Sequence, residues 1–202
     1  MTLIAFDGPT ASGKSTLIKR IEADYKKKGI DILVLDERNK VRNIMEVFHE
    51  NDLIRSELPP ITESSLWVAN QIYRVETQVF PNLGKLIFTD RYIYTPIVYQ
   101  YLALRESGVK LEDVVESISK PFGISLPIPD KSIVLVAPIE VIEERFNNRE
   151  RRKMKDSERE ATKEAIDLYK SLSNYFDNYF IVDSSPREDK VFEEVNNILI
   201  NK

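Results

Sequence analysis

Short apolar runs alternate with longer stretches of helical period along most of this chain. The first run, Leu3-Ile4-Ala5-Phe6, stops at Asp7-Gly8. A helical pattern then extends from Lys14 to Lys28, with Gly29 placed to end it as a C-cap residue. The second run is Asp31-Ile32-Leu33-Val34-Leu35, and a helix-like stretch from about Val41 to His49 precedes a break at Pro59-Pro60. From about Glu63 to Phe80, apolar residues at Leu66, Ala69, Ile72, Tyr73 and Val79 predict a long helix. The third run, Leu86-Ile87-Phe88, leads into Thr89-Asp90-Arg91. Thr95 as N-cap and Pro96 at the first helical position predict a further helix that stops near Gly108. The proline-rich stretch from Pro121 to Pro129 reads as a surface connection. Ser132-Ile133-Val134-Leu135-Val136 is the fourth run and a charged helix starts after Pro138. Tyr179-Phe180-Ile181-Val182 is the fifth, and Glu188 to Ile200 the last helix.

Near-continuous apolar strands alternating with helices predict a parallel sheet covered on both faces. In such folds a ligand sits beyond the carboxyl ends of the strands. Asp7-Gly8, Asp36-Glu37-Arg38, Asp90-Arg91 and Ser184-Ser185 each lie just past the end of a run, so the polar residues are expected along one edge.

Composition narrows the class of function. The chain has 202 residues, 42% hydrophobic and 31% charged, which suits one globular domain over 1–202. Its formal net charge of -4 argues against nucleic acid as a partner. No apolar run reaches the roughly 18 residues of a membrane span. Met1-Thr2-Leu3-Ile4 leads straight into a strand, leaving no room for a signal peptide, and a cytoplasmic location is the expectation. Without cysteine there is neither a disulfide framework nor a thiolate metal site. The single histidine, His49, reads as a surface residue at a helix end.

Gly8-Pro9-Thr10-Ala11-Ser12-Gly13-Lys14-Ser15-Thr16 contains G-x-x-x-x-G-K-[ST] between a strand and a helix. The loop must turn tightly for its backbone N–H groups to surround a polyphosphate, and the helix N-terminus adds partial positive charge there. Lys14 is then placed for the β- and γ-phosphates of ATP, and the Ser15 hydroxyl for Mg²⁺. Asp90, ending a neighbouring strand, is the second candidate to hold Mg²⁺. The expected fold is therefore α/β: a three-layer P-loop NTPase arrangement with a five-stranded parallel sheet flanked by helices.

The segment Asp90-Arg91-Tyr92-Ile93-Tyr94-Thr95-Pro96-Ile97-Val98-Tyr99-Gln100 resembles the thymidylate kinase family, which has D-R-[YH], a Ser or Thr, then an aromatic followed by Gln at this spacing. Leu66-Trp67-Val68-Ala69-Asn70-Gln71 is similar to its L-F-x-A-[DN]-R helix. Glu37-Arg38, Pro129-Asp130 through Val141, and Val182-Asp183-Ser184-Ser185-Pro186 resemble further stretches of the family. The resemblance implies a nucleoside monophosphate kinase that transfers the γ-phosphoryl group of Mg-ATP to dTMP or a related monophosphate, and a homodimer. It implies that Arg38 and Arg91 clamp the acceptor phosphate and that Ser184 and Ser185 lie at the adenine. Trp67 would stack on the acceptor base, Gln71 would meet its edge, and Tyr99 would lie beneath the sugar. Trp67, Gln71 and Arg74 share one helix face by spacing, which fits a flat heteroaromatic base.

The basic run Arg145, Arg149, Arg151, Arg152, Lys153, Lys155 resembles the family's lid, here roughly 145–157. Because Ala11 stands in the P-loop where some relatives carry arginine, the lid is expected to supply the catalytic arginine. Arg149, Arg151 and Arg152 are the candidates, with Arg149 facing adenine. Thr10, Gln71 and Ala137 depart from the family pattern on the acceptor side, which leaves bases other than thymine open. A deoxynucleoside kinase using Glu37 as base, and a nucleotide-binding module without catalysis, are the alternatives.

Overall fold

The computed structural model describes residues 2–35 and 59–200. Glu37, Arg38, His49 and the helix expected at Val41 to His49 lie outside these residues. The described elements are β1 (Thr2–Asp7), α1 (Lys14–Lys27), β2 (Ile32–Leu35), α2 (Pro60–Arg74), β3 (Leu86–Asp90), α3 (Tyr94–Leu104), α4 (Leu111–Ser119), β4 (Lys131–Val136), α5 (Ile139–Glu150), α6 (Asp156–Ser171), β5 (Tyr179–Asp183) and α7 (Glu188–Ile200).

All five strands are parallel, in the order β2-β3-β1-β4-β5. Side chains alternate between the two faces of the sheet, so each strand contributes to two separate apolar clusters. Leu3, Ala5, Ile87, Val134 and Val136 pack with α3, α4, α5 and α6. Ile4, Phe6, Phe88, Ile133 and Leu135 pack on the other face with Leu17, Ile18 and Ile21 of α1 and Val191 and Val195 of α7. The expected three-layer arrangement is therefore present. Placing β1 between β3 and β4 sets the carboxyl ends of those two strands on either side of the loop that follows β1.

Two helix starts differ from expectation. The long helix begins at Pro60, because a proline at the first helical position lacks only an N–H that has no intrahelical partner. Its α-helical part ends at Arg74 and continues as a π-turn (Val75–Val79) and a 3₁₀ turn (Phe80–Asn82) that contains Pro81. Helix α3 starts at Tyr94, with no side-chain cap from its own N-cap residue Ile93. Thr95, expected as the cap, lies inside the first turn, and its N–H donates to Asp7 Oδ1 at 2.9 Å. The capping acceptor comes from the end of β1.

At the far end of α1, Gly29 adopts φ 72°, and the Ile30 N–H reaches the Tyr25 carbonyl at 2.9 Å. Nothing lies within 4 Å of a Cβ built on Gly29, so the backbone conformation alone demands glycine. Gly29→Ala is expected to lower unfolding stability by about 1 kcal/mol with unchanged turnover. Urea denaturation beside a steady-state assay checks both halves.

Candidate active site

The loop after β1 is shaped by two glycines. Gly8 has φ 132°, and a Cβ there would lie 2.2 Å from the backbone oxygen of Leu135 in β4, so any side chain is excluded. Gly13 caps α1 at φ 94°, and Ala11 is also left-handed at φ 65°. Lys14 turns back beneath the loop, its Nζ donating to Gly8 O at 3.0 Å, Pro9 O at 2.8 Å and Ser12 Oγ at 3.2 Å. The Ser15 hydroxyl donates to Asp90 Oδ2 at 2.6 Å, which joins the first turn of α1 to the end of β3.

Arg91 sits where β3 turns into α3, with φ 61°, a left-handed conformation that is strained for a side chain of this size. Surrounding contacts fix it there. Its N–H donates to Phe6 O at 2.9 Å. Its carbonyl oxygen accepts from Arg74 Nη1 and from Thr89 Oγ1, each at 2.9 Å. Its guanidinium donates to Gly8 O at 3.2 Å, Thr10 Oγ1 at 3.2 Å and Thr95 Oγ1 at 3.4 Å. Arg74, expected to face the acceptor, is buried and also donates to Thr89 Oγ1 at 2.7 Å, so it braces the turn that carries Arg91.

Asp7 was absent from the sequence candidates beyond its place at a strand end. It is fully buried and accepts hydrogen bonds from the backbone N–H groups of Tyr92 and Thr95 and from the Thr95 hydroxyl. Burial pushes its carboxyl pKa up. The Thr95 and Tyr92 hydrogen bonds and the charges of Arg91 and Lys14 oppose that rise.

A cleft of about 640 Å³ lies over this floor, a size that suits a nucleotide. Thr10, Ser12, Lys14, Ser15, Asp90 and Arg91 line one side, and Arg145, Arg149, Ser184 and Pro186 the other. Arg145, which belongs to the basic run but was not singled out, donates to the Ser184 carbonyl at 2.8 Å. Ser184 is itself held to β4 by its N–H on Val136 O at 2.7 Å. Ser185 is not among the residues that line the cleft.

Of the residues expected at the acceptor, Trp67 is half-buried and belongs to neither apolar cluster. Gln71 is buried against Tyr92, near enough for its amide to interact with the Tyr92 hydroxyl, although its Nε2 meets no acceptor at full hydrogen-bond geometry. The Ser64 hydroxyl, four residues from Pro60 and one turn before Trp67, lies between the Pro60 carbonyl and the side-chain oxygen of Gln100. Tyr99 is exposed, and burial, followed by the nearness of Tyr99, pushes the Tyr169 hydroxyl pKa up. The three arginines expected in the lid differ in engagement. Arg149 pairs with Glu150 at 2.7 Å. Arg152 holds Glu158 through two hydrogen bonds, at 2.8 Å and 2.6 Å, and lies over the Phe146 ring. Arg151, at φ 54°, is exposed at the end of α5.

A glycine-lined phosphate loop, its lysine, a serine–aspartate pair and flanking arginines at the carboxyl edge of a parallel sheet define a P-loop phosphotransferase. The family model for thymidylate kinase matches residues 6–195, and the chain belongs to the thymidylate kinase family. A thymidylate kinase of Staphylococcus epidermidis is 28% identical over 98% of this chain and 97% of its own length. One from Caldanaerobacter subterraneus is 31% identical over 89% and 85%, and one from Clostridium novyi 28% identical over 97% of each. The protein is thus an ATP-dependent nucleoside monophosphate kinase using Mg²⁺, acting on dTMP or a related monophosphate. The alternatives of a 5'-hydroxyl kinase and an inactive module are not favoured. Among the described residues, no helix is long and apolar enough to cross a membrane.

The Arg152 hydrogen bonds, followed by the Lys155 N–H, pull the Glu158 carboxyl pKa down to about 2. The contribution of this contact is complete above the ordinary carboxylate range, shrinks as pH falls below that range and is gone once pH is below about 2. A carboxyl-carbon NMR titration should show Glu158 with a midpoint near 2 in the native protein. It should return to the ordinary range in Arg152→Ala, and a native midpoint in the ordinary range would show that Arg152 is not engaged.

Proposed function

We propose that the acceptor is dTMP or a closely related deoxynucleoside monophosphate, and that the two phosphate groups meet over the Gly8 carbonyl. The observation that carries this reading is that Lys14 Nζ and the Arg91 guanidinium both donate to that one oxygen. Two cations converging on a single point suit a reaction whose difficulty is holding two anions in line. A phosphate monoester is already largely a dianion near neutral pH, so the acceptor oxygen needs no general base. That oxygen bonds to the γ-phosphorus as the bond to the bridging oxygen of ADP breaks.

In this reading Lys14 binds the β- and γ-phosphates, the loop from Gly8 to Thr16 surrounds them, and Arg91 holds the acceptor phosphate. Arg38 would complete that clamp. Ser15 and Asp90 place two hard oxygens side by side at the N-terminus of α1, a donor pair suited to Mg²⁺. Held by Ser15 and Asp90, Mg²⁺ would offset the negative charge of the nucleotide phosphates. Arg149 and Ser184, across the cleft, and Ser185 beside them, suit the adenine side. Arg74 is assigned a bracing role, not direct substrate contact. The family resemblance supports a cytoplasmic homodimer.

Trp67 and Tyr99 flank the acceptor base and sugar in this account, and Gln71 reads the base edge. The placement of Gln71 supports that role, since its Nε2 is buried without an acceptor at full hydrogen-bond geometry and a base carbonyl would serve it better than the Tyr92 hydroxyl does. An amide can also rotate to offer its oxygen to an amino group. Native enzyme is therefore expected to tolerate more than one base, whereas Gln71→Arg should sharpen preference for dTMP. The test is kcat/KM with Mg-ATP for dTMP, dUMP, dCMP and dGMP in both proteins. Identical selectivity in the two would show that Gln71 does not face the base.

Among the lid arginines, Arg151 is the one we assign to the transferring phosphoryl group, because Arg152 is committed to Glu158 and Arg149 lines the nucleotide cleft. Arg151→Ala is expected to lower kcat by about 10²-fold, in the range of lost electrostatic stabilisers. Arg152→Ala should lower it much less. The opposite order in a single-turnover assay would reassign the role to Arg152.

A further inference from the structure

We propose that Asp7, which lies outside the phosphate-binding motif, is the positioning residue of the acceptor clamp and ties that clamp to the helix following the lid. The proposal rests on the reading of Arg91 as a ligand of the acceptor phosphate.

Asp7 is the last residue of β1 and has no exposed surface. Its Oδ2 accepts the Tyr92 N–H at 3.2 Å. Its Oδ1 accepts the Thr95 N–H at 2.9 Å and the Thr95 hydroxyl at 2.5 Å. The three donors lie on Tyr92, next to Arg91, and on Thr95, one helical turn further on. The carboxylate therefore holds the turn that keeps Arg91 in its left-handed conformation, and also caps the N-terminus of α3. Burial pushes its pKa up, while the Thr95 and Tyr92 hydrogen bonds and the charges of Arg91 and Lys14 favour its ionised form.

Thr95 extends the arrangement. Its hydroxyl has one proton, and at 2.5 Å from a carboxylate that proton belongs to Asp7. The Thr95 oxygen is then an acceptor, filled by Arg91 Nη1 at 3.4 Å and by the Tyr169 hydroxyl at 2.9 Å. The direction of the chain is thereby fixed: Tyr169 donates to Thr95, and Thr95 donates to Asp7. Tyr169 is wholly buried on α6, the helix that begins at Asp156 directly after the basic lid segment. One connected set of hydrogen bonds thus joins the Arg91 side chain, its backbone turn and α6.

A carboxylate is required because every neighbouring group is a donor. In Asp7→Asn the amide oxygen could keep the Thr95 bonds, but its N–H₂ would then face the Tyr92 N–H, and the turn carrying Arg91 would shift. Thr95→Val keeps shape but removes the hydroxyl that receives Arg91 and Tyr169. Thr95→Ser restores it.

The experiment measures kcat and the separate KM values for dTMP and Mg-ATP in native, Arg91→Ala, Asp7→Asn, Thr95→Val, Thr95→Ser, Tyr169→Phe and Thr95→Val/Tyr169→Phe proteins. Asp7→Asn and Thr95→Val should each raise the dTMP KM on the order of tenfold while the ATP KM stays within about threefold, the size expected for a lost charge-assisted hydrogen bond. Thr95→Ser should be near native. Once Thr95→Val is present, Tyr169→Phe should add nothing to the dTMP KM, because its partner is already gone. Equal changes in both KM values, or none, would overturn the proposal by reducing Asp7 to a packing role. If Asp7→Asn does not fold, the Thr95→Val and Thr95→Ser pair decides. An unchanged dTMP KM in Arg91→Ala marks the other failure, that of the Arg91 reading on which the proposal stands.

Discussion

The Gly8 carbonyl oxygen receives both Lys14 and Arg91, and much of the surrounding structure serves to keep two cations so close together. Like charges at this separation repel, so each needs further acceptors. Lys14 finds them in Pro9 O and Ser12 Oγ, and Arg91 in Thr10 and Thr95. The buried Asp7 carboxyl at the end of β1 lies close enough for both cations to favour its ionised form, against the burial that pushes its pKa up. The sheet order makes the convergence possible. The lysine follows β1 and the arginine follows β3, and the register pairs Phe6 with Asp90, so the two strands end level with each other.

The same constraint accounts for the backbone features nearby. Gly8 passes so close to the Leu135 carbonyl that only a hydrogen fits. Arg91 adopts φ 61° because its N–H, its carbonyl and the backbone of Tyr92 and Thr95 beyond it are all held by neighbours. Strain of this kind persists only where the surroundings over-determine it. The opposite wall of the cleft is built differently. There Arg145 and Ser184 join α5 to the loop after β5, and Arg151 is left exposed where α5 ends.

Most of the fold was legible because the strands are short apolar runs ended by polar residues, and the phosphate loop has a spacing that its chemistry dictates. What escaped was of two kinds. Helices α4 and α6 were not delineated. In α6 the charged first half, Asp156 to Lys163, carries no apolar stripe, and its core residues Ala165, Ile166 and Tyr169 come only afterwards. The other gap concerned long-range partners. Thr95 followed by Pro96 looks like a cap from local rules, yet its hydroxyl is committed to Asp7, 88 positions away. Arg74 shares a helix face with Trp67 and Gln71, but only the packing against β3 reveals that it braces the Arg91 turn. Asp7 itself had a local signal, an acidic residue ending the central strand, but its three donors lie in a segment that no sequence pattern links to it.

Whether the two phosphate sites adjoin at Gly8 can be measured directly on the native protein. A compound joining adenosine and thymidine through a five-phosphate chain spans both sites if they meet in line, and linkage turns the second binding event into an intramolecular one. Calorimetry should then give an affinity at least about 10²-fold above that of ATP or dTMP alone. An affinity no better than that of ATP would contradict the account, because it would mean that Lys14 and Arg91 do not hold two phosphate groups at once.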